Sequence, residues 1–219
     1  MLNFVRPRDE DKKELKRLCR DRIWGVEGFT LLEADSLYEN NFWCGKNDEG
    51  EIRALIFDNG NESYKVFGED IPEMLLTEKF CTMIYKKASV TVSEKVRELS
   101  SREIEEFYKL YSGSSSLSFD DSARYVHSLR CKMRSLSCFF GIFSENKLVS
   151  VAAVTGMNEK YVLIGNVFTS EQFRNRGLAL RCINKCIEFS LSRGKIPCLF
   201  CKEEMTDFYK KLGFSEYYE

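Results

Sequence analysis

Hydrophobic spacing along this chain switches repeatedly between the period of a helix and that of a strand. Residues 9–23 (DEDKKELKRLCRDRI) read as a helix, with acids at the start and bases following, as the helix dipole favours. Residues 52–57 (IRALIF) and 63–67 (SYKVF) read as strands, and the DNGNES run between them is rich in hairpin-turn residues. PEMLLTEKFCTMIYKK reads as a helix entered at Pro72, where a first-turn proline fits. Residues 88–99 hold a β-branched stretch and then a strand-like one. Ser100 and Glu103 make a capping box, and Ile104, Phe107, Tyr108 and Tyr111 share the helical face behind it. SGSSSLS (residues 112–118) is a small-residue loop, and DDSARYVHSLRCKM reads as a second helix.

The last part of the chain is patterned most clearly. SCFFGIFSENKLVSVAAVTGMNEKYVLIGNVFTS gives three strands broken at SEN and GMNE. A long helix follows, with Leu178, Cys182 and Cys186 in one stripe and Ala179, Ile183 and Ile187 beside it. Gly194 stands where a C-cap belongs. PCLFCK is a short strand, EMTDFYKKLG a short helix ending at Gly213, and FSEYY a last strand. The order strand, two helices, three strands, helix, strand, helix, strand predicts a mixed α/β layer fold.

Composition changes this picture little. The 219 residues suit one large domain or two small ones, and 43% hydrophobic residues suffice for a core. A net charge of -1 gives no global argument for nucleic acid. The opening MLNFVRPRDEDKKELKRLCR has no apolar signal core, and no apolar run approaches the ~20 residues of a membrane span. A soluble cytoplasmic protein is expected, with neither nucleic acid nor membrane as partner. Nine cysteines, an odd number, argue against a disulfide framework. Cys198 and Cys201 form a CxxC without a second pair at zinc-ribbon spacing; Cys182 and Cys186 share a helix face. The cysteines are expected to be small buried hydrophobes rather than metal ligands.

Chemistry concentrates at Arg174-Asn175-Arg176-Gly177-Leu178-Ala179, between a strand and a helix. A helix N-terminus offers unpaired N–H groups and a positive dipole end, both suited to a phosphate. Gly177 lets the backbone approach closely, and Arg174 and Arg176 add charge. There is no Walker GxxxxGK[ST] and no dinucleotide GxGxxG. On its own the stretch is either a surface turn or a phosphate cradle.

The segment VFTSEQFRNRGLA (167–179) resembles the acetyl-CoA signature R/Q-x-x-G-x-G/A of the GNAT superfamily of N-acetyltransferases, and FYKKLGF (208–214) resembles that family's C-terminal FYxKLGF element. The resemblance covers roughly residues 92–219. It implies the GNAT fold, with acetyl-CoA in a cleft where two central strands splay apart. It implies direct transfer of acetyl to a primary amine in a ternary complex, with acetyl-CoA as cosubstrate and no metal. Backbone groups of Val167, Phe168 and Thr169 would pair with the pantetheine arm. The N–H groups of Arg174, Asn175, Arg176, Gly177, Leu178, Ala179 and Leu180 would hold the pyrophosphate. Tyr209 would be the acid for the departing thiolate, and Glu171, just after the strand, is the candidate base. His127, the only histidine, would border the acceptor cleft as an ordinary partly exposed residue. Asn175 and Lys202 depart from the family's usual glycine and asparagine, and Lys202 puts in doubt a cofactor contact or the acceptor pocket.

The first ninety residues carry no such turn. They are a candidate degenerate half of the same fold, with NFWCGKNDEGEIRALIFDNGNESYKVFG supplying its central strands, expected to cover the sheet and shape the acceptor cleft. The chain then divides into residues 1–90 and a catalytic domain, 91–219. Trp24, Phe29, Phe42 and Trp43 are expected in core or interface. A non-catalytic acyl-CoA-binding or sensory module on the same fold, and a redox or metal module built on the cysteines, are the alternatives. The acceptor amine is not legible; Asp120 and Asp121 either attract a cationic amine or cap the following helix. Monomer and homodimer both remain open.

Overall fold

A computed structural model of the chain describes residues 2–33, 42–58, 64–68, 80–112 and 137–218. The expected helix at DDSARYVHSLRCKM, with Asp120, Asp121 and His127, lies outside the described residues, as do 113–118 of the small-residue loop.

The first unit runs β1 (Asn3–Val5), α1 (Asp11–Cys19), α2 (Val26–Glu33), β2 (Phe42–Lys46), β3 (Ile52–Asp58), β4 (Tyr64–Gly68). Its strands form a four-stranded antiparallel sheet in chain order. The Asp11 carboxylate fastens the start of α1, accepting the Arg8 N–H at 2.8 Å and the Lys46 ammonium at 2.6 Å. Leu15, Leu18 and Cys19 on the inner face of α1 then pack on Phe42, Cys44, Ile52 and Leu55. Trp24 and Phe29 lean on this core. Helix α2 and strand β1 were not legible. The α2 stretch Val26–Gly28 and Thr30 is buried, its polar Glu27 and Thr30 included, so burial does not follow the polar and apolar spacing that would betray a helix.

The second unit runs β5 (Cys81–Tyr85), β6 (Arg97–Glu98), α3 (Ile104–Ser112), β7 (Cys138–Ser144), β8 (Lys147–Met157), β9 (Tyr161–Thr169), α4 (Leu178–Leu191), β10 (Ile196–Cys201), α5 (Thr206–Leu212), β11 (Phe214–Glu216). Its seven-stranded sheet has the order β11-β5-β10-β9-β8-β7-β6. The mixed α/β architecture is as expected, and β7, β8 and β9 break where SEN and GMNE predicted.

One element is corrected. Cys81–Tyr85 lies in the stretch read as a helix from Pro72, but it is a strand, antiparallel to β10 on one side and β11 on the other. Met83, Ile84 and Tyr85 are all buried, so both faces of the strand are covered and the alternation that marks a strand is missing. Residues 72–79 of that stretch lie outside the described residues. The larger sheet thus begins at residue 81, ahead of the division expected at residues 90 and 91. Of the strand-like run 88–99, only Arg97–Glu98 is paired.

Helices cover both faces of this sheet. On one, Cys182, Ile183, Cys186 and Ile187 of α4 pack on Ala152, Val154, Val162 and Ile164. On the other, Ile104 and Phe107 of α3 pack on Phe139, Val151 and Ala153. Beside α3, Ile23 and Val26 of the first unit cover Ile84, Tyr161, Leu163 and Cys198. Polar clips fix that contact. The Thr30 hydroxyl accepts the Met157 N–H at 2.9 Å. The Asn158 side chain, 2% exposed, donates to the carbonyls of Cys19 (2.7 Å) and Arg22 (2.8 Å) and accepts the N–H of Tyr161 (2.8 Å). The expected covering role of the N-terminal region is thus a set of named contacts.

The described cysteines are free thiols, nearly all buried. Cys198 faces the cluster under the first unit and Cys201 the cluster under α4, so the CxxC is split between opposite faces of the sheet. Among the described residues no cluster of metal-ligating side chains is present, and no helix is long and apolar enough to cross a membrane.

Removing the Asn158 side chain leaves buried carbonyls and N–H groups without partners. Asn158→Ala should therefore lower unfolding free energy by about 2–4 kcal/mol in urea titration. The Ser100–Glu103 capping box is formed, with the Glu103 carboxylate accepting the Ser100 N–H at 2.9 Å and the Arg97 guanidinium at 2.6 Å. Arg97, then the Ser100 N–H, hold this carboxyl down to about 2, below its ordinary 4.5. A depressed folded pKa stabilises above the unfolded value and loses that contribution as the carboxylate is protonated. The stability difference between wild type and Glu103→Gln should be full at neutral pH and shrink as pH falls from 4.5 toward 2.

Candidate functional site

The site starts with a parting of strands. β9 and β10 run parallel with Tyr161, Val162 and Leu163 opposite Ile196, Pro197 and Cys198, and the pairing stops there. Beyond it β9 stays with β8 and β10 stays with β5. A bulge helps β9 turn away: Gly165 faces Ala153, Phe168 faces Val151, and Asn166 between them takes a left-handed φ of 49°.

At the end of β9 the Thr169 hydroxyl meets the buried Ser150 hydroxyl at 2.8 Å, and the Thr169 carbonyl accepts Arg174 Nε at 3.3 Å. A short 3-10 turn, Glu171–Phe173, follows. Asn175 (φ 60°) and Gly177 (φ 70°) then bend the backbone into α4. Among the described residues, the backbone N–H groups from Asn175 to Leu180 have no hydrogen-bond partner. No side chain caps α4, and its first turn holds no acid. The result is a positive helix end with exposed donors and nothing of the protein's own to satisfy them.

A cleft of about 1430 Å³ opens along the end of β9, between the N-terminus of α4 and Phe208 and Tyr209 of α5. It brings together Val167, Phe168, Thr169, Glu171, Arg174, Asn175, Gly177, Leu178, Ala179, Leu180 and Tyr209. Arg176 is not among its walls. Its guanidinium turns back to the Gln172 carbonyl at 3.0 Å and sits 5.2 Å from the Phe173 ring centre. Sequence reasoning missed other walls: Glu106, Lys109 and Leu110 of α3, the β7–β8 turn Glu145–Lys147, and Met205 and Phe208. Only tertiary packing brings them there, although the left-handed pair Glu145 and Asn146 marks a tight hairpin turn.

Tyr209 comes from α5. Its ring lies 5.0 Å from Phe208 and 5.9 Å from Phe214, both edge-on, and the residue is 8% exposed. Burial, and then the neighbouring Cys201 thiol, push its phenol up to about 12. At neutral pH it is a protonated donor. Among the described residues its hydroxyl has no hydrogen-bond partner. Glu171 is exposed at the mouth, and Lys202 is exposed at the end of β10.

The profile of the acetyltransferase (GNAT) family matches residues 104–214, just over half of the chain. The chain belongs to the GNAT acetyltransferase family. Solved GNAT structures share its fold. A putative acetyltransferase of the family from Novosphingobium aromaticivorans aligns with a TM-score of 0.52 and 22% identity; the match covers 63% of this chain and 59% of that one. A GCN5-related N-acetyltransferase-like protein from Streptococcus suis aligns with a TM-score of 0.56 and 17% identity over 95% of this chain and 96% of its own. A predicted acetyltransferase from Clostridium acetobutylicum, solved with acetyl-CoA, aligns with a TM-score of 0.47 and 17% identity over 57% of this chain and 91% of its own. No curated protein matches the sequence. The GNAT profile spans α3 to the start of β11, and so contains the parted strands, the loop and Tyr209.

A Cβ at Gly177 would meet nothing within 4 Å, so a side chain there is opposed by the left-handed backbone alone. Gly177→Ala should cost about 1–2 kcal/mol of stability in thermal or urea unfolding, with no sign of core disruption.

Proposed function

We propose that this GNAT protein is an N-acetyltransferase that moves acetyl from acetyl-CoA to a primary amine by direct transfer in a ternary complex. The observation that carries the reading is the row of free N–H groups from Asn175 to Leu180, set beside a buried, protonated Tyr209 in one cleft. An anion satisfies those donors, and the acid-free first turn of α4 leaves its dipole open to one. These groups fit a pyrophosphate. The unpaired edge of β9 at Val167, Phe168 and Thr169 fits an amide-bearing arm laid along it as an extra strand.

Acetyl-CoA supplies an acetyl thioester. The protein's residues have two proton tasks. An ammonium must lose a proton before its nitrogen can attack, and Glu171 at the mouth is the proposed acceptor of that proton. Glu106 in the same cleft is engaged by Lys109 at 2.6 Å. As the N–C bond forms and the C–S bond breaks, the nitrogen sheds its second proton to solvent, the sulfur gains negative charge, and Tyr209 donates its hydroxyl proton to it. In water a phenol is a weaker acid than a thiol, and burial weakens it further. The same burial raises the pKa of a thiolate formed beside it, so the gap between the two does not widen by the full shift of the phenol. Tyr209 recovers its proton from solvent.

We read the first unit as a degenerate half of the same fold. Its first strand and its three later strands, paired antiparallel in chain order with helices between the first and second, parallel β6, β7, β8 and β9 of the second unit with α3 between β6 and β7.

Calorimetric titration with acetyl-CoA tests the cradle. The wild type should bind saturably, and the double variant Arg174→Ala, Gly177→Glu should not, because a carboxylate then sits among the donors. Tyr209→Phe should keep binding and lose about 10²–10⁴-fold in turnover against a panel of amines, the share of a general acid. Full turnover in that variant would remove Tyr209 from the chemistry. Binding by the wild type with no acetylation of any amine would favour a non-catalytic acyl-CoA sensor.

A further inference from the structure

Behind Tyr209 lies a pair of thiols that the transfer reaction does not use. Cys81 opens β5 and Cys201 closes β10, and the two are direct partners in antiparallel register. Directly opposed residues of an antiparallel pair present their side chains on the same face. Here that face is the cluster under α4, where Cys201 is buried and Cys81 packs against it while staying partly exposed. Opposed Cα atoms in such a pair are about 4.5–5.5 Å apart, inside the window of about 4.4–6.8 Å that a disulfide spans. The other cysteines of the cluster, Cys138, Cys182 and Cys186, are buried, so among the described residues Cys81 is the thiol of this face that solvent reaches.

We propose that Cys81 and Cys201 form a reversible cross-strand disulfide, a modification site that ties β5 to β10 within the cluster that also holds Tyr209. The oxidant is a small disulfide. The Cys81 thiolate attacks one of its sulfurs, forming a mixed disulfide and releasing one small thiolate. Cys201, its proton passed to solvent, then attacks Cys81 Sγ; the bond between the strands closes and the second small thiolate leaves. Two protein thiols are oxidised, one small disulfide is reduced to two thiols, and the protons lost by the protein balance those the thiolates take up.

The location gives the bond its consequence. Cys201 and Tyr209 share the α4 cluster, and the Cys201 thiol is near enough to oppose ionisation of the Tyr209 phenol. Closing the bond fixes Cys201 Sγ on Cys81, so the neighbour of the phenol can no longer adjust, and it stiffens the strand end from which the chain runs into α5. The effect on turnover rests on the proposed acid role of Tyr209; the bond itself does not.

The test incubates the full-length protein with oxidised glutathione and maps the non-reduced digest by mass spectrometry. A peptide pair joining residues 81 and 201 is expected, absent after dithiothreitol. Cys81→Ser, at a partly exposed position where folding is safe, should abolish it; Cys198→Ser, on the opposite face, should not. A bond between other cysteines, or Cys81 that stops at the glutathione adduct, overturns the proposal. Acetyl-CoA turnover should fall by at least about tenfold in the oxidised protein and return with dithiothreitol, since a misplaced acid loses part of its contribution. Equal turnover of oxidised and reduced protein, with Tyr209→Phe inactive, overturns the coupling to Tyr209. If Tyr209→Phe keeps full turnover, the acid assignment falls and the peptide map still decides the bond.

Discussion

Parallel pairing between β9 and β10 ends at Leu163 and Cys198, and every feature of the cleft depends on its ending there. Two strands that separate expose backbone groups that would otherwise bond each other, and such groups must find partners. The fold limits the cost by giving each strand a second neighbour. β8 holds β9 to its end, and β5 holds β10 to Cys201. The left-handed Asn166 steers β9 away without breaking its ladder with β8. What remains is a wedge open to a ligand, floored by sheet and closed at its wide end by the N-terminus of α4. Asn175 and Gly177 aim that terminus because both hold positive φ, which asparagine tolerates and glycine takes freely.

How far such a site can be read from sequence depends on how local its physics is. The Gly177 turn was legible because a glycine between a strand and an apolar helix is a local arrangement of backbone and dipole. The hairpins β7–β8 and β8–β9 were legible because alternation and turn residues sit side by side in the chain. The capping box at Ser100 and Glu103 was legible for the same reason. Strand β5 was not, because its identity comes from partners far away in sequence, and its two covered faces erase the alternation that would have revealed it. Helix α2 is buried round most of its surface and lost its period in the same way. At the site, the loop residues singled out from the sequence line one cleft, except Arg176, whose guanidinium folds back on Phe173 and Gln172. Neighbouring arginines look alike in a string of letters, and only the direction of each side chain tells them apart.

The cysteines show the same limit. Their burial followed from a sequence with no disulfide framework. Their partners did not, since a CxxC on a strand sends its two thiols to opposite faces, whereas two thiols in cross-strand register share one. Cys198 and Cys201 look like a pair on paper, yet Cys201 keeps company with Cys81, in a strand on the other side of the chain's midpoint.

The place of β5 also sets an order in time. During synthesis Cys81–Tyr85 emerges well before the strands that flank it, Ile196–Cys201 and Phe214–Glu216. Until they appear, both edges of β5 are open to any other extended segment, the situation in which chains pair with one another instead of with themselves. Contacts this distant in sequence close slowly, because loop entropy must be overcome before they contribute. The β7, β8 and β9 meander can form from its own hairpins well before that. The central sheet is therefore completed only by residues far downstream of β5, and a ribosome stalled short of Phe214 would hold a β5 with no β11 to pair with.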